Sequence, residues 1–363
     1  MKRTFAAAAV ASAAAVCVAL LPRTISPQFF SPFVEPTALA QAVSARAGTI
    51  AVTIREWDVP TAGSNSQDAA VGLDGALWWS EQAASKLGEL DPQTGIRREF
   101  QLKNADSGPR GIAVDREGAV WFAGNDASLI GKLDPRSGAV TEYRMPNVSA
   151  EDPYALAFDA RGMLWFTVQG GNFVGRLDPR SGKIDLKRVP TEDALPFDIV
   201  VTKQGVPIFS EFGANKLGKI DPQTMAITEY TLPGSGTRPR RLAAADGSVY
   251  FTDWAEGHLG RFDPATGAAK LWPSPGGAES NPFGIAVTPD GTVWYSEAGV
   301  LPENTIVRFD PKTETFAVAA IPNGGGIVRN MAATPEGRIY FVCSALNKVG
   351  VALANQARVR PTP

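Results

Sequence analysis

The chain has 363 residues, of which 44% are hydrophobic and 20% charged, with 35 Lys and Arg against 37 Asp and Glu. This composition is that of a globular protein, and the near balance of charge argues against a nucleic-acid partner or an anionic membrane partner. The single histidine excludes zinc sites with two or three histidine ligands.

The N-terminus has the pattern of a targeting segment. Lys2 and Arg3 precede an apolar run over residues 5–21, and small residues typical of a cleavage site follow between residues 38 and 42. We expect residues 1–42 to be a secretory signal peptide, so that the protein is exported to the periplasm or secreted. An uncleaved membrane anchor is the alternative, because the apolar run reaches the lower limit for a spanning helix.

The remainder, residues 43–363, is predicted to be a single repetitive domain. An Asp-Pro-x-Thr/Ser-Gly turn recurs every 42 to 47 residues, beginning at Asp91, Asp134, Asp178 and Asp263, with the glycine replaced in the copies at Asp221 and Asp310. An aromatic-rich stretch recurs seven times, at Trp79, Phe122, Phe166, Phe209, Phe251, Tyr295 and Phe341. Six near-identical Asp-Pro copies favour turn-forming aspartates over calcium ligands.

One period contains four short β-type runs and no helical periodicity. In the second unit these runs cover residues 111–114, 119–123, 129–133 and 140–143. Seven such units predict an all-β fold, a seven-bladed β-propeller of four-stranded antiparallel blades. Residues 54–59 match the outer-strand pattern but precede the first unit, so we expect them to complete the last blade; a dangling N-terminal strand is the alternative.

The repeat phrases resemble the virginiamycin B lyase (streptogramin lyase) family over roughly residues 50 to 353. Residues 281–286 with 294–297, and residues 215–220 with 227–233, carry the resemblance. It implies a seven-bladed propeller related to an enzyme that linearises a cyclic depsipeptide antibiotic by metal-assisted elimination. The implied cofactor is Mg²⁺ or another divalent cation, with no organic cofactor.

The resemblance also implies catalytic positions. The family's two catalytic histidines correspond to Arg240 and Phe283, and its magnesium-holding glutamate corresponds to Glu297. Arg240 and Glu297 are therefore the expected catalytic residues. Phenylalanine has no acid–base chemistry and arginine is a poor base, so we expect the scaffold to be retained and the site to be altered.

Two rings of side chains are predicted at one mouth of the central channel, because tight hairpins place both repeat positions at the same end of each blade. The first ring contains Gln67, Arg110, Tyr154, Phe197, Arg240, Phe283 and Arg329. The second contains Glu81, Gly124, Val168, Glu211, Asp253, Glu297 and Cys343. Structural positions in a repeat should repeat, so divergence at these two positions indicates a specialised site.

The two rings suggest distinct roles. The arginines suit a carboxylate, phosphate or sulfate, and the aromatic residues offer faces to a ring. The predicted ligand-binding residues are Gln67, Arg110, Tyr154, Phe197, Phe283 and Arg329. The predicted metal ligands are Glu81, Glu211, Asp253 and Glu297, which offer oxygen to a hard cation. The alternative is that arginines and acids pair with each other around a wet channel.

Three functions remain open. The first is a metal-assisted carbon–oxygen lyase acting on a cyclic ester or depsipeptide, and the second is a non-catalytic propeller that binds a small molecule, an anion or a protein. The third is a lactonase-like hydrolase, although such propellers are typically six-bladed. We expect the protein to be a monomer. His258 is more typical of a surface residue than of a catalytic base. Cys343 is more typical of a buried, inert thiol than of a nucleophile.

Overall fold

The computed structural model describes residues 47–299 and 304–353, which form seven sheets, each with four antiparallel strands, arranged as the blades of a propeller. The predicted seven-bladed fold is confirmed. The signal-peptide prediction for residues 1–42 lies outside the described residues. No helix in the described part of the chain is long and apolar enough to cross a membrane.

The strands follow one another in chain order. Two short N-terminal strands are β1 (Gly48–Thr49) and β2 (Thr53–Asp58). Blade 1 contains β3 (Ser66–Val71), β4 (Leu77–Glu81), β5 (Lys86–Leu90) and β6 (Arg97–Gln101). Blade 2 contains β7 (Pro109–Val114), β8 (Val120–Gly124), β9 (Leu129–Leu133) and β10 (Val140–Arg144). Blade 3 contains β11 (Pro153–Phe158), β12 (Leu164–Val168), β13 (Phe173–Leu177) and β14 (Ile184–Arg188).

The remaining blades repeat this pattern. Blade 4 contains β15 (Pro196–Val201), β16 (Pro207–Glu211), β17 (Lys216–Ile220) and β18 (Ile227–Thr231), and blade 5 contains β19 (Pro239–Ala245), β20 (Ser248–Asp253), β21 (His258–Phe262) and β22 (Ala269–Pro273). Blade 6 contains β23 (Pro282–Val287), β24 (Val293–Glu297), β25 (Thr305–Asp310) and β26 (Thr315–Ala320), and blade 7 contains β27 (Val328–Ala333), β28 (Arg338–Cys343) and β29 (Lys348–Leu353). Short 3-10 helices cover Ala278–Ser280, Pro322–Gly324 and Ser344–Leu346.

The ring is closed by the N-terminal segment, as the sequence predicted. Strand β2 pairs antiparallel with β29 from Thr53 opposite Leu353 to Asp58 opposite Lys348, and thereby supplies the fourth strand of blade 7. Inner strand β27 packs against β3 of blade 1. The sequence did not reveal β1, which adds a fifth, parallel strand to the outer edge of blade 6. Two outer edges are thus covered by the same short segment.

The Asp-Pro turns owe their shape to their own hydrogen bonds. In the first turn, one oxygen of Asp91 accepts from the backbone N–H of Gln93 at 2.8 Å, and the other accepts from the Thr94 hydroxyl at 2.7 Å. Where the turn glycine is replaced, Met225 and Glu314 still adopt a positive φ, of 62° and 54°. The aspartates are therefore turn-forming, as predicted, and their repetition reflects backbone geometry.

A glycine in the third strand of most blades is required by the aromatic residue beside it. A Cβ on Gly131 would lie 1.9 Å from Cζ of Phe122, a ring that is fully buried, and a Cβ on Gly218 would lie 2.0 Å from Cζ of Phe209. The aromatic ring of the second strand thus lies flat across the third strand. This contact explains why an aromatic stretch and a later glycine recur together in the sequence.

We expect Gly131→Ala to destabilise the propeller by about 1–3 kcal/mol, because the new methyl group overlaps a ring in a close-packed core. Urea unfolding of both proteins measures the difference. Thr141→Ala, on the exposed face of the adjoining strand β10, is the control, with an expected change within about 0.5 kcal/mol. Equal effects of the two substitutions would contradict the packing argument.

Candidate functional site

A β-bulge at the mouth end of every inner strand positions the first ring. The pairing register shifts in β3 between Ser66 and Ala69, in β19 between Pro239 and Leu242, and at the matching place in the other five inner strands. A bulge places two residues of one strand opposite a single residue of the partner strand and redirects their side chains. Two consecutive residues of each blade therefore contribute to the channel, not one.

Hydroxyl groups fix these bulges relative to one another. Ser210 Oγ accepts from the backbone N–H of Asp198 at 3.0 Å and donates to the carbonyl of Arg240 in the next blade at 2.9 Å. Thr252 connects Arg241 to Phe283 in the same way, at 3.1 and 2.8 Å. The mouth is thus built on a backbone in which neighbouring blades are hydrogen-bonded together.

The three aromatic residues of the first ring form a buried cluster. Tyr154, Phe197 and Phe283 are 4%, 3% and 1% exposed. The ring centroids of Tyr154 and Phe197 are 4.4 Å apart, and those of Phe197 and Phe283 are 6.4 Å apart. Their faces contact one another and the arginines, so they form the floor of the mouth. The sequence had suggested open faces, which this packing does not provide.

Arg240 lies in a cage of aromatic rings. Its guanidinium carbon is 3.8 Å from the ring centroid of Phe283 and 4.0 Å from that of Trp254, with Phe212 and Phe197 at 5.0 and 5.1 Å. Burial, together with the charges of neighbouring arginines, lowers the pKa of Arg240 to about 9. Its Nε is buried without a hydrogen-bond acceptor in the described structure. Cation–π contacts with four rings therefore hold this guanidinium in place.

Arg110 and Arg329 flank this cage. Arg110 donates to Asn125 Oδ1 at 3.2 Å and to the Tyr154 hydroxyl at 3.0 Å, and Arg329 donates to Ser344 Oγ at 2.8 Å. Within residues 47–299 and 304–353, none of the three mouth arginines forms an ion pair with a carboxylate. The alternative of arginines paired with the acidic ring is therefore wrong. The guanidinium carbon of Arg329 is 5.9 Å from the ring centroid of Phe283. Gln67 of blade 1 instead donates to the Asn65 carbonyl of its own loop at 3.1 Å.

The second ring does not form a set of open carboxylates. Glu297 is 1% exposed, and both its oxygens are engaged by protein donors. Oε1 accepts from the Ser274 hydroxyl at 2.6 Å and from the Gly276 N–H at 2.7 Å, and Oε2 accepts from the Thr305 hydroxyl at 2.6 Å. This carboxylate stabilises the interior of blade 6. A metal ion would have to displace these donors to reach it.

Glu81 and Glu211 are buried inside blades 1 and 4. Burial above all, reinforced by a neighbouring carboxylate, raises the pKa of each to about 8. Glu99, the neighbour of Glu81, forms an ion pair with Lys86 at 2.8 Å. Glu229, the neighbour of Glu211, forms one with Lys216 at 3.1 Å. Two carboxyl groups thus share one lysine in each blade, and burial favours the protonated form of the inner one. A protonated carboxyl is a poor ligand for a hard cation.

Asp253 occupies the same repeat position in blade 5 but has a different partner. Its Oδ1 accepts from the N–H of Arg238 at 2.9 Å, and its Oδ2 lies 3.0 Å from Nδ1 of His258. Cys343, the seventh member of the ring, is buried, and burial raises the pKa of its thiol well above the usual range. The expectation that this thiol is buried is confirmed. The acidic ring is therefore four separate environments in four blades.

Sequence reasoning missed a buried ion triad directly below the mouth. Arg241 is 2% exposed and forms a bidentate pair with Asp68 across the channel, with Asp198 at 3.5 Å. Burial, partly offset by Arg241, raises the pKa of Asp198 to about 6. The signal was present in the sequence, because each of these three charged residues directly follows a residue of the first ring. Blades 2 and 3 have the uncharged Gly111 and Ala155 at the same repeat position.

A cavity of about 340 Å³ lies along the channel on the other side of this triad. Its lining includes Arg241, Asp68 and Asp198, together with inner-strand residues that follow the bulges, such as Leu156 and Leu242. The triad therefore separates the cavity from the aromatic floor.

Comparison with known proteins agrees with this architecture. The sequence model of the virginiamycin B lyase family matches residues 39–275. The chain belongs to this family. No protein with a curated description matches the chain.

Solved structures of virginiamycin B lyases share the fold. A streptogramin B lyase structure aligns with a TM-score of 0.77 at 24% identity, covering 84% of this chain and 98% of that one. Virginiamycin B lyase from Staphylococcus aureus aligns with a TM-score of 0.75 at 21% identity, covering 83% of this chain and 99% of that one. A catalytically inactive variant of that enzyme with quinupristin aligns at 0.75 and 22%, also covering 83% and 99%. At these identities the alignments establish the fold, not the reaction.

Arg240 and Phe283, which the resemblance places at the family's histidine positions, are in contact in the structure, with the guanidinium carbon 3.8 Å from the ring centroid. The virginiamycin B lyase fold is retained. Catalytic roles for Arg240 and Glu297, and ligand binding by the first ring, stay predictions.

Proposed function

We propose that this virginiamycin B lyase family member binds a small organic anion at the channel mouth. One observation carries the proposal: Arg110, Arg240 and Arg329 share the mouth without a carboxylate partner among the described residues. Burial above all, together with the charges of Arg110 and Arg241, lowers the pKa of Arg329. Repulsion between these guanidinium groups would be relieved by an anion.

The surroundings of the arginines favour an anion attached to a ring. Trp254 and Phe212 are only partly buried and border the Arg240 guanidinium, so an apolar body can lie beside the charge. Guanidinium groups donate in a planar fork that matches a carboxylate. The fixed backbone and buried aromatic floor preorganise the donors, which reduces the entropy that binding would cost. Sugar acids and aromatic carboxylates have this combination of charge and ring.

Thermal unfolding with matched ligands tests this function. Galacturonate and phosphate are expected to raise the melting temperature, and neutral galactose is expected to leave it unchanged. A ligand at 100 times its Kd contributes about 2.7 kcal/mol to stability. Arg110→Gln with Arg329→Gln should abolish most of the shift, because the charge that attracts the anion is removed.

Arg136→Gln provides the control, since Arg136 is an exposed arginine in the Asp134 turn at the opposite end of blade 2. It should bind the anion as the unaltered protein does. Equal stabilisation by galactose and galacturonate would rule out an anion site at the mouth. So would an equal loss of the thermal shift in the Arg136→Gln control and in the double variant of Arg110 and Arg329.

Membership of the virginiamycin B lyase family favours a second candidate, a carbon–oxygen lyase that opens a cyclic ester or depsipeptide. Arg240 would polarise the ester carbonyl through its positive charge. Incubation with a streptogramin B, with Mg²⁺ and with EDTA, followed by chromatography with mass detection, distinguishes the outcomes. A product of unchanged mass indicates elimination, a gain of one water indicates lactonase-like hydrolysis, and no product leaves binding alone.

The magnesium implied by the family does not fit the glutamate that would hold it. Both oxygens of Glu297 accept hydrogen bonds from Ser274, Gly276 and Thr305, and burial raises the pKa of Glu81 and of Glu211 to about 8. We therefore assign no step of the reaction to a metal at Glu297.

A further inference from the structure

The mouth end of blade 5 departs from the repeat in three places that lie close together. Asp253 replaces the glutamate of blades 1 and 4, and His258 replaces Lys86 and Lys216, the lysines that pair with it across the strands. Glu256 stands in the loop where blade 1 has Ala84 and blade 4 has Ala214. The lysine that neutralises a carboxylate in those blades is thus absent here, and a second carboxylate is added.

These three residues bring ligand atoms together. Within the described ranges 47–299 and 304–353, only Asp253, Glu256 and His258 place three histidine, cysteine or carboxylate ligand atoms within 4.8 Å of one another. Neither carboxylate has a lysine or arginine within ion-pair distance among those residues. Two negative charges therefore face one imidazole without a compensating cation.

The cluster is held in place by the backbone. Asp253 is fully buried, and its Oδ1 accepts N–H groups from Arg238, Ala255 and Glu256 at 2.9, 3.2 and 3.4 Å. This leaves Oδ2, which lies 3.0 Å from His258 Nδ1, as the carboxylate oxygen that faces the imidazole. Such fixation orients the carboxylate before any ligand binds.

Glu256 is also seated in a prepared position. A Cβ on Gly236 would lie 2.3 Å from one of its carboxylate oxygens, and a Cβ on Gly234 would lie 2.8 Å from the other. The Thr237 hydroxyl lies 3.1 Å from Oε2 and 2.7 Å from the Pro233 carbonyl, between which its proton is shared. Two glycines thus make room for a carboxylate that would otherwise point into solvent.

We propose that Asp253, Glu256 and His258 bind a divalent transition-metal cation such as Zn²⁺ or Mn²⁺. One imidazole nitrogen with two carboxylate oxygens is a donor set that these ions accept, whereas Mg²⁺ and Ca²⁺ favour oxygen alone. The side chain of His258 is 24% exposed, so the cation keeps an open side towards solvent. Asp253 directly precedes Trp254, which puts the cation at the same end of blade 5 as the arginine cage.

The single histidine makes the test direct. In untagged protein, the imidazole NMR signals of His258 should shift on addition of one equivalent of Zn²⁺, broaden with Mn²⁺, and recover with EDTA. Calorimetric titration with Zn²⁺ should show one site, weakened at least about tenfold by Glu256→Gln. His258→Lys, which restores the residue of blades 1 and 4, should abolish binding while the protein stays folded.

Glu211→Gln is the matched control, because it alters the equivalent carboxyl in blade 4 and should leave the Zn²⁺ affinity unchanged. Unshifted His258 signals with equimolar Zn²⁺ would show that the Asp253–His258 contact is only a hydrogen bond. Equal affinities of the Glu256→Gln and Glu211→Gln variants would overturn the ligand assignment. Neither result bears on anion binding at the arginines, which is measured without a metal.

Discussion

Arg241→Met is expected to destabilise the propeller by about 3–5 kcal/mol at about pH 8, because it leaves buried carboxylates without their cation. Arg241 pairs with Asp68 on the opposite side of the channel and lies 3.5 Å from Asp198. Both carboxylates are almost inaccessible to water, so neither can be solvated in place of the lost guanidinium. The contact also joins blade 5 to blades 1 and 4, and its loss weakens the ring itself.

The destabilisation should depend on pH in a defined direction. Burial already raises the pKa of Asp198 to about 6, and loss of the guanidinium raises it further. The variant's carboxyls therefore take up protons on acidification, and the deficit should be smaller at about pH 5 than at about pH 8. Urea unfolding at the two pH values measures both quantities.

A double variant separates charge from packing. Asp68→Leu with Arg241→Met removes both members of the bidentate pair, and Asp198 keeps the N–H of Leu242 as a donor at 2.8 Å. We expect it to recover at least about half of the stability lost in Arg241→Met, since a buried pair replaced by apolar groups is often neutral. A loss below about 1 kcal/mol in the single variant would mean that the triad is not a structural element.

The sequence predicts the fold well because every blade repeats the same local solutions. The Asp91 turn and the contact of Gly131 with Phe122 are local, and each leaves a mark at a constant spacing. Residues 54–59 could be assigned to blade 7 because an unpaired outer-strand pattern had only one partner. Strand β1 was missed because two residues of parallel pairing have no periodicity.

The candidate site was predicted less completely, because its geometry depends on contacts between blades. Spacing indicated that Arg240 and Phe283 belong to one ring, but not that they stack. It could not show that both oxygens of Glu297 are engaged by protein donors, since Ser274 follows the last strand of blade 5 and Glu297 ends the second strand of blade 6. The bulge also doubles the residues that face the channel, which a simple alternation of sides does not predict; Arg241 was missed for this reason.

The buried carboxyls of blades 1 and 4 should make the propeller lose stability as pH rises. The pKa values of Glu81 and Glu211 are raised to about 8 in the folded chain, so the folded state holds protons that the unfolded chain has released. The contribution is fully present below the unfolded pKa of about 4.3 and is lost as pH rises through the folded pKa. Each pKa unit corresponds to about 1.4 kcal/mol, so two sites make the expected fall several kcal/mol between about pH 5 and pH 9.

Glu81→Gln with Glu211→Gln keeps the shape of both side chains and removes their titration. We expect the double variant to resemble the unaltered protein at about pH 5 and to exceed its stability at about pH 9, where the native carboxyls are ionised in a dry environment. Glu99→Gln with Glu229→Gln is the matched control: these partners carry the negative charge paired to Lys86 and Lys216, so their loss should destabilise at both pH values. If the unfolding free energy of the Glu81 and Glu211 variant keeps the pH slope of the unaltered protein, the two buried carboxyls are ionised in the fold and become available as ligands after all.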